Sequence, residues 1–296
     1  MGVERELATL VASDGAVHDA LFHLDERAAR ARRRRTGRRT AVLHSHGVMG
    51  NFLVGTLRFL ATALARAGYP TLVLETRLAN IGQLFGEAIF EDAVLDLAAG
   101  EEWLRERGFD SLVMCGYSSG ATLATRYVAA RNPVDLRGLA CLGAPWGLPQ
   151  SSERRSDTYG AEPSYRELAA LIERRLAGDP DSTDRIVVIT RSRGPSASPG
   201  DSEVYTHRTW WHTRGPKAYP AMTHRQIVHV TAPILLVQGT ADEVVFPEEA
   251  QQLHDLVREG GNEDVELVWI DGADHAFTNR DIPTIDAVVR WLDPRA

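Results

Sequence analysis

Residues 115–123 read CGYSSGATL, with Gly116, Tyr117, Ser118, Ser119 and Gly120 at the centre. A serine between two glycines at this spacing suits nucleophilic chemistry in one setting, a sharp turn from strand into helix that lifts the hydroxyl above a sheet. The flanks supply that setting, since the apolar run SLVMC precedes the turn and the helix-like ATLATRYV follows it. The pattern predicts Ser118 at the tip of the bend, in a strained backbone conformation. Gly116 and Gly120 stand where side chains would collide across it. Ser119 is expected to turn its backbone N–H, and not its hydroxyl, toward a developing oxyanion.

A serine hydroxyl is a weak nucleophile at neutral pH and needs a neighbouring base, itself oriented by a third group. Two later segments can supply them. LLVQGTADEVV reads as a strand and a loop carrying Asp242, and VWIDGADHAF as a strand and a loop carrying His275. The order Ser118, Asp242, His275 is one that serines on such turns use. Asp242 would hold the imidazole in its productive tautomer, and His275 would take the Ser118 proton and later return it to the leaving group. Asp271 and Asp274, on the histidine's own loop, compete for the acid role. A second oxyanion donor is expected from HSHGVMGN, where a His-Gly turn after a strand brings an amide toward the serine; Val48 is the predicted donor and Met49 the second choice.

The remaining polar groups suggest less chemistry. His44 and His46 have the spacing of a hairpin ligand pair, but no further cluster completes a site of three or four ligands, so no metal is expected. Glu75 and Asp92 could form paired carboxylates, although Asp92 falls in a helical stretch and reads as structural. His207, His212, His224 and His229 read as surface or packing histidines. Trp210 and Trp211 are either packing anchors or pocket walls, and the substrate-binding role is assigned to them here.

The elements that must position these groups alternate. ELATLVASDGAVHDALFHLD reads as a hairpin turning at Asp14-Gly15. TAVLHSHG is a strand, TLRFLATALARAG a helix with apolar residues at Leu57, Leu60, Ala61 and Leu64 and a stop at Gly68, and YPTLVLE a strand. A helix over 87–107, the strand SLVMCG, the helix ATLATRYVAARN and the strand LRGLACLGAP follow. The rhythm resumes with APILLVQG, a helix over 248–259, the strand VELVWID and a last helix ending near Trp291. Such alternation predicts parallel βαβ units in a doubly wound sheet, with ligands at the carboxyl ends of the strands. Between about 147 and 230 lie one clear helix (YRELAALIERRLAG), a Pro/Gly/Ser stretch (SRGPSASPGDSE) and an aromatic-rich piece, too much for a simple connection. This segment is read as an insertion over the active end of the sheet, its helix docked on the core.

Composition bounds the partners. At 296 residues, 44% hydrophobic and with a net charge of −7, the chain can bury a full core and lacks the overall basicity that nucleic-acid binding demands. The eight arginines between Arg27 and Arg39 are read as a solvated surface loop. No apolar run reaches the roughly 18 residues of a membrane helix, and the N-terminus is charged where a leader would be apolar, so a soluble, cytoplasmic protein is expected. Cys115 and Cys141 sit in apolar strand-like runs and read as small buried hydrophobes.

With HGVMGN, GYSSG, GTADEVV and GADHAF in this order, the chain resembles the α/β-hydrolase superfamily from the hairpin at residue 6 to the helix near residue 291. The motifs look closest to bacterial carboxylesterases and cinnamoyl-esterase-like enzymes, with similarity also to prolyl-oligopeptidase-type catalytic domains. The resemblance implies a mostly parallel eight-stranded sheet with helices on both faces, a core of 1–146 and 230–296, and a lid at 147–229 inserted after the sixth strand. It implies no cofactor, a small-molecule ester or related acyl substrate, and an acid that does not come from the histidine's own loop. The reaction implied is ester cleavage through an acyl-enzyme; thioester hydrolysis, acyl transfer, peptide cleavage and lyase chemistry use the same groups, and a binding protein that has lost turnover could keep the fold. Where relatives carry an Asp-x-Arg-Gly-x-Gly-x-Ser loop, this chain has ETRLANIGQLFG, so no substrate is carried over.

Overall fold

The computed structural model describes residues 2–48, 50–79, 88–178, 185–194 and 202–296. Strands β1 (Glu4–Val11) and β2 (Val17–Leu24) form the antiparallel hairpin, and Gly15 takes a φ of +88° at its turn, where a side chain would be strained. Helix α1 (Glu26–Thr36) leads to β3 (Thr40–Ser45), α2 (Leu57–Arg66), β4 (Thr71–Leu74), α3 (Ala93–Glu106), β5 (Ser111–Tyr117), α4 (Ser119–Arg131) and β6 (Leu136–Leu142). The insertion carries α5 (Leu148–Tyr159), α6 (Tyr165–Gly178), a small hairpin of β7 (Ile186–Ile189) and β8 (Glu203–Thr206), α7 (His207–Arg214), a 3-10 turn at Tyr219–Ala221 and α8 (Thr223–Ile227). The chain closes with β9 (Ile234–Gly239), α9 (Pro247–Glu259), β10 (Val265–Ile270) and α10 (Asp281–Leu292).

Eight strands make one sheet in the order β1-β2-β4-β3-β5-β6-β9-β10. The hairpin and the β2–β4 contact are antiparallel and every other pair is parallel. Strands β3 to β6 and β9 are apolar almost throughout because both faces are covered. Alternate residues go to opposite sides: Leu112 and Met114 join the cluster under α3, α4 and α9, whereas Val113 and Cys115 join the one under α2 and α10. Both cysteines are buried. No helix among the described residues is long and apolar enough to cross a membrane.

One departure from the sequence reading has a clear cause. The arginine run is not a loop but helix α1, whose start is capped by Asp25 accepting from the Ala28 N–H at 3.0 Å and whose end is Gly37 at φ +73°. Arginine is a good helix former, and Arg32 is buried with its guanidinium on the Tyr69 ring and paired to Asp293 at 2.9 Å. The predicted helix over 87–107 is shorter, and Glu87 lies outside the described residues.

The insertion builds its own small core from Tyr165, Leu168, Ile172, Val187, Tyr205 and Trp210, among others. The apolar face of α6 therefore docks on this cluster and not on the sheet. By contrast, Ala218, Ala221 and Ile227 belong to the main core, so the end of the 147–229 segment packs with the sheet layers. Of the Pro/Gly/Ser stretch, 195–201 lie outside the described residues.

Candidate active site

The turn after β5 is tight enough to exclude any side chain at its flanks. A Cβ on Gly116 would come within 2.3 Å of the Gly120 carbonyl, and one on Gly120 within 2.3 Å of the His46 carbonyl. Ser118 between them has φ 57° and ψ −127°, a region that costs an ordinary residue about 1–3 kcal/mol. Its N–H donates to the Leu142 carbonyl at 2.8 Å, pinning the turn to β6. Ser119 begins α4 with its side chain buried, so its N–H is one of the first-turn donors that a helix leaves without an intrahelical partner.

Loops after β9 and β10 bring two further groups to this point. His275 Nε2 lies 2.9 Å from Ser118 Oγ, and its Nδ1 lies 2.8 Å from Asp242 Oδ2. With the Nδ1 proton donated to the carboxylate, Nε2 is left to accept from the serine hydroxyl. Asp242 is fixed in turn, because Oδ1 accepts the Val244 and Val245 N–H groups at 2.8 Å each and Oδ2 accepts from Gln238 Nε2 at 2.9 Å. Gln238, inside β9, was not singled out from the sequence. Nothing in its spacing marks it, since it reads as one polar residue in a buried strand. The rival carboxylates are engaged elsewhere: Asp274 Oδ1 accepts from the Thr278 N–H at 2.7 Å, and Asp271 Oδ1 from the Thr240 hydroxyl at 3.4 Å.

The His-Gly turn after β3 borders the serine, with a Cβ on Gly47 lying 3.5 Å from Ser118 Oγ. His46 donates from Nδ1 to the Gly47 carbonyl at 2.6 Å and accepts from the Thr76 N–H at Nε2 at 2.9 Å. The Gly50 N–H reaches the same Gly47 carbonyl at 3.0 Å. Two donors thus hold one face of the Gly47–Val48 peptide, and in a trans peptide the Val48 N–H points the opposite way. Met49 lies outside the described residues. His46 uses both ring nitrogens for this turn, and no group of three metal-binding side chains occurs among the described residues. Glu75 faces Asp19: burial, then the Asp19 charge, raises its carboxyl above the usual range.

Burial holds the imidazoles of His46 and His23 down at about 4 and that of His44 at about 3. Unfolded, each would bind a proton below about pH 6.5. Unfolding therefore takes up protons between about pH 6.5 and 4, and stability should be full above that interval and fall as pH drops through it. Thermal unfolding measured from pH 7.5 to 4.5 should show a steadily falling midpoint. A flat profile would mean that these rings titrate normally.

A cavity of about 620 Å³ opens beside Ser118 and His275. Gly47, Val48 and Tyr117 wall it from the sheet side, and Leu148, Arg155 and Arg214 from the insertion. Trp210 and Trp211 do not line it, which corrects the substrate-binding role assigned to them. Trp210 is 1% exposed with its ring 5.4 Å from that of Tyr165, and Trp211 packs on the same cluster, because α7 turns both toward the insertion's core. Trp210→Ala should accordingly cost about 3–5 kcal/mol in unfolding experiments. The ratio of kcat/KM between short and bulky esters should stay as in the parent protein; a changed ratio with unchanged stability would return Trp210 to the pocket.

Fold and site together define an α/β-hydrolase. The family model described as "Serine aminopeptidase, S33" matches residues 37–281, and the chain belongs to that family. No curated protein matches the sequence. Similar solved structures include the esterase Pf2001 of Pyrococcus furiosus, at 17% identity, a TM-score of 0.63 and coverage of 99% of this chain and 90% of that one. Est1E of Butyrivibrio proteoclasticus, solved with ferulic acid bound, gives 15% identity, a TM-score of 0.68 and coverage of 97% and 99%. The hypothetical protein PA2218 of Pseudomonas aeruginosa gives 14%, 0.72, 99% and 94%.

Proposed function

We propose that the protein is a serine hydrolase that cleaves a small-molecule carboxylic ester through an acyl-enzyme intermediate. The observation that carries this reading is the chain of hydrogen bonds from Ser118 through His275 to Asp242. Ser118 Oγ attacks the ester carbonyl as its proton passes to His275 Nε2, and the proton then goes to the departing alcohol. Water, deprotonated by the same nitrogen, releases the acid and restores the serine. Asp242 stabilises the imidazolium that forms in each half. The backbone N–H groups of Ser119 and Val48 are the proposed oxyanion donors; His46, by holding the Gly47 carbonyl, positions the second. Residues 147–229 are proposed as a lid, supported by the insertion residues that line the cavity. The esterases among the structural neighbours agree with this chemistry.

The family description raises peptide cleavage as a second reading. An aminopeptidase must seat a cationic N-terminal ammonium, and the described cavity lining has three arginines against one glutamate. That balance favours the ester reading. A fluorophosphonate probe should label Ser118, and purified protein should turn over p-nitrophenyl esters far faster than peptide amides; labelling elsewhere, or no ester turnover, would overturn the proposal.

A further inference from the structure

The loop that carries Asp242 is gripped by the insertion. Two peptide groups, 243–244 and 244–245, supply the N–H donors that fix Asp242 Oδ1 at 2.8 Å each. The carbonyls of the same two peptides accept from α5: that of Glu243 from the Tyr159 hydroxyl at 2.9 Å, and that of Val244 from Arg155 Nη1 at 3.0 Å. Arg155 and Tyr159 stand one turn apart on this helix and so share a face. Arg155 is 3% exposed, and its charge is met by the buried carboxylates of Glu203 and Glu249. Its Nε donates to the Ser192 carbonyl at 2.8 Å, which fixes the plane of the guanidinium. Glu249, on α9, ties the same two segments together: Oε2 accepts from the Ser151 hydroxyl of α5, and Oε1 from the Phe246 N–H at 3.3 Å. The Tyr159 and Phe246 rings stack at 6.1 Å.

A peptide unit is planar and trans, so its N–H and C=O point in opposite directions, and fixing one end fixes the other. A donor on the carbonyl also polarises the unit and strengthens the bond made by its N–H, by about 10–30%. Two parallel chains of hydrogen bonds therefore run from Tyr159 and from Arg155, each through one peptide to Asp242 Oδ1, and Oδ2 of that carboxylate meets His275 Nδ1 at 2.8 Å. Without either donor, a carbonyl of this loop loses its partner and its peptide is free to tilt, carrying the N–H away from Oδ1. We propose that Arg155 and Tyr159 are positioning residues for the catalytic acid: through the 243–244 and 244–245 peptides, the first helix of the insertion holds Asp242 in the orientation that serves His275. This rests on the hydrolase reading above and gives the insertion a part in the chemistry beyond lining the cavity.

The test replaces each donor and reads the acid separately from the fold. Tyr159→Phe removes the hydroxyl and keeps the ring; it should lower kcat for p-nitrophenyl acetate by about three- to tenfold, with KM within about twofold of the parent, the size of one hydrogen bond. Arg155→Met should lower kcat by about 10- to 100-fold, as loss of a charged donor allows. It also leaves Glu203 and Glu249 one cation short, so if it fails to fold, Tyr159→Phe carries the result. Tyr165→Phe is the control, since it removes a buried bond within the same insertion, to the Arg214 carbonyl at 2.8 Å, and should lower the melting temperature without changing kcat. In an Asp242→Asn background the Tyr159 and Arg155 substitutions should alter the rate of fluorophosphonate labelling at Ser118 by less than about twofold, because the carboxylate they act through is gone. Losses of equal size in both backgrounds, or a lowered melting temperature with parental kcat, would overturn the inference and leave the hydrolase reading standing. If the parent protein cleaves no ester and labels at no serine, the hydrolase reading fails, and the grip on the loop is decided by amide hydrogen exchange. Tyr159→Phe should then speed exchange at the Val244 amide and Arg155→Met at the Val245 amide, each by about threefold or more. Unchanged exchange at both amides would overturn the grip as well.

Discussion

Ser118→Ala is expected to lower kcat for ester hydrolysis by about 10⁴- to 10⁶-fold, the range seen when a nucleophile is removed from such a set of groups. The fold should survive the change. Alanine keeps the Cβ, so the strain at φ 57° is the same for both residues, and the bond from the residue 118 N–H to the Leu142 carbonyl does not involve the side chain. Among the described residues, the hydroxyl's hydrogen-bond partner is His275 Nε2. Ser119→Ala is the matched control: its backbone N–H remains and its buried hydroxyl plays no part in the scheme. Ester turnover, fluorophosphonate labelling and thermal unfolding measured on both variants decide the matter. Near-parental turnover by the Ser118 variant, or labelling of Ser119, would sink the assignment.

Legibility differed between the sheet and the insertion for a physical reason. In β5, the run Leu112, Val113, Met114 and Cys115 is apolar because both faces are covered, and the serine turn follows at once, so element and motif reinforce each other. The segments that converge on Ser118 were visible because each is a short polar loop after an apolar strand. Helices α5 and α7 were not visible. The face that α5 buries includes Ser151, Arg155 and Ser156, and that of α7 includes Thr209, Thr213 and Arg214. A helix packed through hydroxyls and guanidiniums leaves no hydrophobic period to read. The same polarity explains the misplaced tryptophans. Without a visible α7, nothing indicated which way Trp210 faces, and the arginines that do face the cavity find their carboxylate, Glu203, only in three dimensions. The arginine run misled in a related manner, since its capping residues Asp25 and Gly37 were outweighed by its charge.

Asp242→Asn is expected to reduce kcat/KM at neutral pH by about 10⁴-fold, the size such a change has in a serine protease. The asparagine fits the space and can still accept the Val244 and Val245 N–H groups through its carbonyl oxygen. Its NH₂ must then take the place of Oδ2, where it meets two donors, Gln238 Nε2 at 2.9 Å and His275 Nδ1 at 2.8 Å. The conflict is relieved if His275 moves its proton from Nδ1 to Nε2. Nε2 then faces Ser118 Oγ as a donor and can no longer accept the serine proton, and the amide cannot stabilise an imidazolium. Stability should change far less than rate, because the two backbone bonds persist. Asp274→Asn is the discriminating comparison, as its carboxylate caps the Thr278 N–H at 2.7 Å and the change should leave kcat/KM within a few-fold of the parent. If Asp274→Asn proved the more damaging of the two, the orienting acid would lie on the histidine's own loop and the role given to Asp242 would be wrong.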